Sequence, residues 1–412
     1  MNKIFLGALI CSVSCSITFA SNDSYYWMKI KATNKFERSA IANSGVSIDI
    51  VRDDYVIAYG DQKALAEIKK SHKLVASSDL AIEEQMRPLD FPAKDAPYHN
   101  YNELTDELKN LAAQNTDIIK MSSLAKTPEN RDMWLIEMTA GGQAQDKPAV
   151  AYMGGHHARE HLSVEMPLMW IQFLVKEYRN QNPRVVQFLN SRTIYVIPAV
   201  NPDGKEYDIS SGTSYKLWRK NRSKNADGTF GVDLNRNYGF QWGTGGSSSN
   251  PNSETYMGPK AFSEIETQTI KNFIDGKPNI TILLTFHSFS KLILYPWGHK
   301  YDSIEDSKDF AVHKKMAEKM ATWNGYTPQQ SSELYIASGD TTDWSYGVHK
   351  IISFTFELDP DGGGFGGSQG FYPGAAQIEP SFQKNLEPMF YLLEYADNPY
   401  RVLNVGIGPI NP

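Results

Sequence analysis

The chain has 412 residues, 41% of them hydrophobic and 21% charged. That is ordinary globular composition, with length enough for a large core plus a smaller unit. A formal net charge of −6 at pH 7 argues against nucleic acid as a partner, because chains that bind it are usually basic.

The chain opens on MNKIFLGALICSVSCSITFA. Lys3 supplies a charged start, Ile4 to Val13 is mostly apolar, and Thr18-Phe19-Ala20 ends on small residues. Residues 1–20 read as a secretory signal peptide, too short to span a membrane. A secreted location, extracellular or periplasmic, is therefore expected. Both cysteines, Cys11 and Cys15, lie inside this stretch. The mature protein is expected to have no disulfide, no thiol nucleophile and no thiolate metal site. Any metal must then sit on His, Asp or Glu. No later stretch carries the roughly eighteen uninterrupted apolar residues of a membrane helix, so no membrane partner is expected.

Residues 25–77 alternate strand-like and helix-like patterns. YYWMKIKA, VSIDIV, DYVIAYG and HKLVAS read as strands, NKFERSAIAN and DQKALAEIKKS as helices. The order βαββαβ predicts a small antiparallel sheet with helices on one face. SSDLAIEEQMRPLDFPAKDAP follows, with three prolines and no period, and reads as a linker. From about Tyr98 helical segments near 101–114, 162–180, 262–276, 306–323 and 380–396 alternate with apolar runs. Those runs are DMWLIEMT, AVAYMGG, TIYVIPAVN, ITILLTF, LILYPW and ISFTFEL. They are nearly continuous, as in strands buried on both faces. The fold class is α/β, with a mixed, mostly parallel central sheet flanked by helices, whose ligands bind beyond the carboxyl ends of the strands.

GGHHAREHLSVEM, Gly154 to Met166, sits where the strand AVAYMGG turns into the helix LSVEMPLMWIQFLVKEY. His157 and Glu160, three residues apart at a loop-to-helix junction, can face one point as a metal pair. Alone the pattern is weak, because a capped, solvated helix start looks the same. His287 ends the run ITILLTF at the same sheet edge. Two histidines and a glutamate leave a fourth tetrahedral position open, the catalytic rather than the structural arrangement. Asn235 and Arg236, in VDLNRNYG, can bind a planar carboxylate, or can be part of a basic solvated loop together with Arg219 and Arg222. Glu357 is a lone acid inside the apolar run ISFTFEL. Burying it is costly unless it is paired or functional.

GGHHAREHLSVEM, WRKNR, VDLNRNYG, SETYMG, TFHSFSKLILYPWG, LYIASGDTTDWSYG and FTFEL, in this order over roughly Leu89 to Asn398, resemble the zinc metallocarboxypeptidases. This is the family of the pancreatic carboxypeptidases A and B, and the resemblance is nearest to its secreted bacterial branch of the carboxypeptidase T type. It implies one Zn²⁺ held by His157, Glu160 and His287, with Asp233 orienting the ring of His157. His156 and His161 are implied as supporting residues. Glu357 is implied as general base and Arg219 as the arginine that polarises the scissile carbonyl. Asn235 and Arg236 are implied as the clamp for the terminal carboxylate, Tyr335 as a mobile tyrosine over the substrate, and Arg159 and Ser288 as lining of neighbouring subsites. In basic-specific relatives an acid matches Thr342; here Asp340 lies two residues earlier, beside the apolar wall of Leu294 and Gly298. A dual preference for large apolar and basic C-terminal residues is expected.

The resemblance further implies action on peptide or protein C-termini by a catalytic domain at 91–412, with a pro-segment at 21–90 that covers the cleft; a permanent accessory domain is the alternative. Basic residues in the linker point to an activating protease cutting near Arg87 or Lys94, and a monomer is expected. YHNYNEL with Glu103 resembles a calcium site of the bacterial branch, whereas AGGQAQDK lacks the acidic cluster of another, so Ca²⁺ stays open. Two other readings stand beside this one: the same fold acting on peptidoglycan stem peptides, and a non-catalytic binding protein. The second predicts a missing ligand, clamp or base, and none is missing.

Overall fold

The computed structural model describes residues 25–79, 95, 97–210, 215–362 and 370–404. The signal peptide and the cleavage points expected at Arg87 and Lys94 lie outside the described residues. Among those described, no helix is long and apolar enough to cross a membrane.

The N-terminal unit has the expected order: β1 (Tyr25–Lys31), α1 (Lys35–Ala42), β2 (Ser47–Val51), β3 (Tyr55–Asp61), α2 (Gln62–Ser71) and β4 (Leu74–Asp79). Its sheet runs β2-β3-β1-β4 and every pairing is antiparallel. Alternation along the strands sorts the side chains. Met28, Ile30, Val56 and Ala58 meet Ile41, Leu65 and Ile68 of the two helices. Trp27, Ile50, Ile57 and Tyr59 point the other way, against Leu217, Phe289 and Phe371 of the larger domain.

The larger domain follows with α3 (Tyr101–Gln114), β5 (Ile119–Lys126), β6 (Asp132–Met138), β7 (Ala149–Met153), α4 (Leu162–Arg179), α5 (Pro183–Ser191), β8 (Thr193–Ile197), α6 (Pro202–Ile209), α7 (Ile265–Asp275), β9 (Ile280–Ser288), β10 (Leu292–Tyr295), α8 (Ser307–Asn324), β11 (Thr327–Gln330), α9 (Thr341–His349), β12 (Ile352–Leu358) and α10 (Ile378–Tyr395). Eight strands make one sheet in the order β11-β10-β12-β9-β7-β8-β6-β5. Neighbours from β8 through β7 and β9 to β12 are parallel, as are β10 and β11; the remaining pairings are antiparallel.

Strand alternation divides the core into two layers. Val150, Tyr152, Ile194, Val196, Leu284 and Phe286 pack under α4, α5, α8 and α10. Ala149, Ala151, Met153, Tyr195 and Leu283 pack under α7 and α9. From β7 the chain crosses to β8 on one side, and the other neighbour of β7 is β9. The carboxyl ends of β7 and β9 therefore flank a topological switch point, where open sheets leave a crevice.

His313 of α8 ties that helix to β12. Its ring is fully buried, with Nδ1 2.8 Å from the Asp309 carbonyl oxygen, while Nε2 accepts from Ser353 N at 3.2 Å. Burial pushes this imidazole down from 6.5 to about 4. The unfolded chain takes up the proton first, so stability present above pH 6.5 is lost as pH falls toward 4. Between pH 7 and pH 5 the expected loss is about 2 kcal/mol. Urea unfolding at the two pH values measures it, and His313→Gln should flatten the dependence by that amount. An unchanged slope in the variant would contradict the assignment.

Candidate metal centre and cleft

The turn from β7 into α4 is closed too tightly for side chains. A Cβ on Gly154 would stand 2.0 Å from the Ser163 carbonyl oxygen, and Gly155 has φ +66. Only glycine fits such a position, and the turn aims His157 and Glu160 at the sheet edge. His157 Nδ1 lies 2.7 Å from Glu160 Oε1. His287, at the end of β9, brings its Nδ1 to 3.1 Å from His157 Nδ1 and 3.0 Å from Glu160 Oε2. All three residues are buried, and they form the one group of this kind found among the described residues. Two ring nitrogens facing each other beside a carboxylate make a donor set that wants a cation. Ligands of a tetrahedral zinc ion stand about 3.3 Å apart, so the residues fit that metal.

The surrounding groups fix these donors. His157 Nε2 is 3.1 Å from Asp233 Oδ1. Asp233 also accepts from Arg219 Nε at 3.0 Å and lies 3.0 Å from Arg219 Nη2. The Arg219 charge, with His157 next, holds the Asp233 carboxyl well below the usual range against the opposing effect of burial. Arg219 Nη1 is left over, 3.9 Å from Glu160 Oε1. His156 stacks on His287 at 5.5 Å between ring centres and bonds Tyr238 and Thr341. His161 faces Asp208 at 2.9 Å. Both flank the centre without joining it.

Glu357 pairs in register with His287 across the parallel ladder of β12 and β9. Burial first, and the charge of Glu160 next, raise its carboxyl well above the ordinary value. On the opposite wall Asn235 Oδ1 accepts from Thr341 N and Thr341 Oγ1, both at 2.9 Å, which leaves its amide NH₂ for the cleft. Arg236 is 3% exposed and gives Nε to the Gly246 carbonyl and Nη1 to that of Asn235. No carboxylate among the described residues lies within ion-pair distance of it. A buried guanidinium without an acid is a prepared anion site.

His157, Glu160, Arg219, Asn235, Arg236, Tyr335, Asp340, Ser288 and Glu357 all border one cleft of about 380 Å³. Ser288 N donates to Glu160 Oε2 at 3.2 Å. Arg159 stands apart from them, fully buried beneath Phe371 at 4.4 Å.

The N-terminal unit roofs this cleft, with Arg38, Ile48 and Asp49 among the residues that border it. Asp49 of β2 accepts from Arg159 Nη2 at 3.0 Å, and its carbonyl accepts from Ser290 Oγ. Tyr335 OH donates to the Ile48 carbonyl at 3.2 Å. Arg38 of α1 donates to the carbonyls of Glu333 and Leu334, and Lys35 pairs with Glu333 at 2.7 Å. The two stretches considered for calcium are otherwise engaged. Glu103 closes a capping box with Asn100 at the start of α3, and Lys147 places its ammonium among the carbonyls of Ala140, Gly141 and Leu189.

Two histidines and a glutamate able to hold a metal, with a buried acid and a buried guanidinium bordering the same cleft at the carboxyl edge of a mixed sheet, are the side chains a metal-dependent peptide hydrolase would need. Comparison with known proteins carries this further. The zinc carboxypeptidase family matches residues 104–388, and the chain belongs to that family: it is a zinc metallocarboxypeptidase, a hydrolase acting at peptide C-termini. It is 36% identical over 328 residues to a zinc carboxypeptidase of Saccharothrix mutabilis subsp. capreolus, covering 77% of this chain and 74% of that protein. To carboxypeptidase A2 of Rattus norvegicus it is 33% identical over 309 residues, covering 74% and 71%. Carboxypeptidase A from Helicoverpa armigera shares the fold, with a TM-score of 0.75 at 23% identity over 93% of this chain and 99% of that one.

Proposed function

We propose that residues 91–412 are a secreted exopeptidase that removes single C-terminal L-amino acids, large apolar or basic, and that residues 21–90 are a pro-segment that keeps it inactive until cleaved. His157, Glu160 and His287 would hold the zinc, and Asp233 would fix the His157 ring. When bound, zinc supplies Lewis acidity to the scissile carbonyl and acidity to water. Glu357 takes the proton of the attacking water and returns it to the leaving amine. Arg219 turns its spare Nη1 to the developing oxyanion. Asn235 and Arg236 bind the terminal carboxylate, and an internal peptide bond would leave that arginine unpaired. Tyr335 closes over the substrate once the Ile48 carbonyl leaves it. Arg159 and Ser288 line subsites further along the chain, Arg159 after Asp49 is withdrawn.

The observation that carries the specificity is Asp340. Its Oδ2 is buried with no hydrogen-bond partner among the described residues, on the cleft wall it shares with Leu294, Gly298, Ala337 and Thr355. An apolar wall with one unpaired acid oxygen suits both long apolar and basic side chains. N-blocked dipeptides ending in Phe, Leu, Lys, Arg or Asp, assayed after pro-segment removal with and without a chelator, test the reading. Turnover of the first four, none of the Asp peptide, and loss on chelation are expected. Preference for stem peptides with D-centres, or chelator-resistant turnover, would refute it.

A further inference from the structure

The cleft wall around Asp340 holds a second acid that the reaction does not use. Asp340 caps α9: its Oδ1 accepts from Thr342 N, Thr342 Oγ1 and Asp343 N at 3.0, 2.7 and 2.9 Å. One turn on, Asp343 is fully buried. It holds the adjoining 298–299 loop, because Gly298 N donates to it at 2.9 Å and His299 N at 2.9 Å. The His299 ring completes the set, with Nδ1 2.7 Å from Asp343 Oδ2. That ring is wedged against Phe240 and Trp297, at 5.5 and 5.0 Å between ring centres. That loop meets Asp340, where a Cβ on Gly298 would stand 3.3 Å from Oδ2.

Other charges reach Asp340 weakly. Arg236 comes from the turn after Asp233, but its Nε and Nη1 are on the carbonyls of Gly246 and Asn235. Glu357 stands on β12, bordering the same cleft. Lys300, next to His299, is turned to Glu305. Within ion-pair distance, Asp340 has no cation among the described residues, and Asp343 has only the His299 ring.

We infer that Asp343 and its ring partner His299 govern the ionisation of Asp340, so that the cleft selects a cationic C-terminal side chain when Asp340 is ionised and an apolar one when it is protonated. This rests on the reading of Asp340 as the acid of the side-chain pocket. Burial, and next the Asp343 charge, push the Asp340 carboxyl up to about 7. The change therefore falls where a lysine side chain, near 10.4, and a terminal carboxylate, near 3.5, do not titrate. His299 and Asp343 act here as positioning residues, through Asp340.

The test is kcat/KM for matched N-blocked dipeptides ending in Lys and in Leu, from pH 5.5 to 8.5. The Lys:Leu ratio cancels the titration of groups both substrates need. It should rise roughly tenfold or more across this range, in proportion to the ionised fraction. His299→Leu removes the ring that bonds Asp343 Oδ2 and should shift the midpoint of the rise. Asp343→Asn removes the like charge and should move it lower, so a folding failure in one variant still leaves the other to read. A flat ratio in the wild type, or midpoints that stay fixed in whichever variants fold, overturns the inference. Asp340→Asn separates the two levels. If it flattens a ratio that rises in the wild type, Asp340 is the pocket acid; if the ratio is untouched at every pH, the pocket assignment itself fails.

Discussion

Glu357→Gln is expected to lower kcat by about 10²- to 10⁴-fold, the range for loss of a positioned general base, with zinc content and KM near those of the parent. Glutamine keeps the shape of the side chain, so the cleft wall survives. What disappears is an acid with no side-chain hydrogen bond among the described residues, directly opposite His287 on the adjoining parallel strand. In the metal-free protein the same substitution should raise the thermal midpoint above neutral pH. A buried carboxyl whose folded pKa is raised costs stability as pH climbs past its unfolded value, and Glu357 is raised first by burial and then by Glu160. The two readouts work as a pair. A kcat loss below tenfold together with a higher midpoint would make Glu357 a strained wall residue and nothing more.

Arg236→Met is the second large effect. Removing one partner of a buried charge pair costs about 2–5 kcal/mol, roughly 30- to 5,000-fold in kcat/KM. The guanidinium is 3% exposed and already anchored by two carbonyls, so it needs no rearrangement to meet a carboxylate. Peptides with an amidated C-terminus should show the same loss on the parent enzyme, and the substitution should cost them little more. Were the free-acid and amide substrates to suffer equally from Arg236→Met, the arginine would be holding up the 246 loop rather than the substrate.

The metal residues were legible because each lies at a junction that periodicity marks: a strand ending in two glycines, a helix start, a strand ending in histidine. The pairing of His157 with His287 needed the fold, since 130 positions separate them. Several elements left no such mark. In α9, Thr341 through Tyr346 are all buried, so no polar face betrays a helix. In α6 the start NPDG reads as a turn, yet Asp203, Gly204, Lys205 and Asp208 are buried there. β11 is the polar edge TPQQ, without the apolar run of a central strand. Asp343 and His299 were passed over for a related reason. A single acid on a helix and a single histidine in a loop gain meaning only from the 2.7 Å between them. Asp49 likewise reads as an outward-facing strand residue until Arg159 is seen beside it.

The ladder between β9 and β12 places His287 and Glu357 opposite one another. Backbone hydrogen bonding, not loop conformation, thus sets the spacing between the metal ligand and the acid. The groups proposed to choose the substrate hang instead from turns and from the start of α9. Reaction geometry and substrate choice are mechanically separate, so redesigning the region around Gly298 and Asp340 should retune which residue is cleaved while the chemical step keeps its rate.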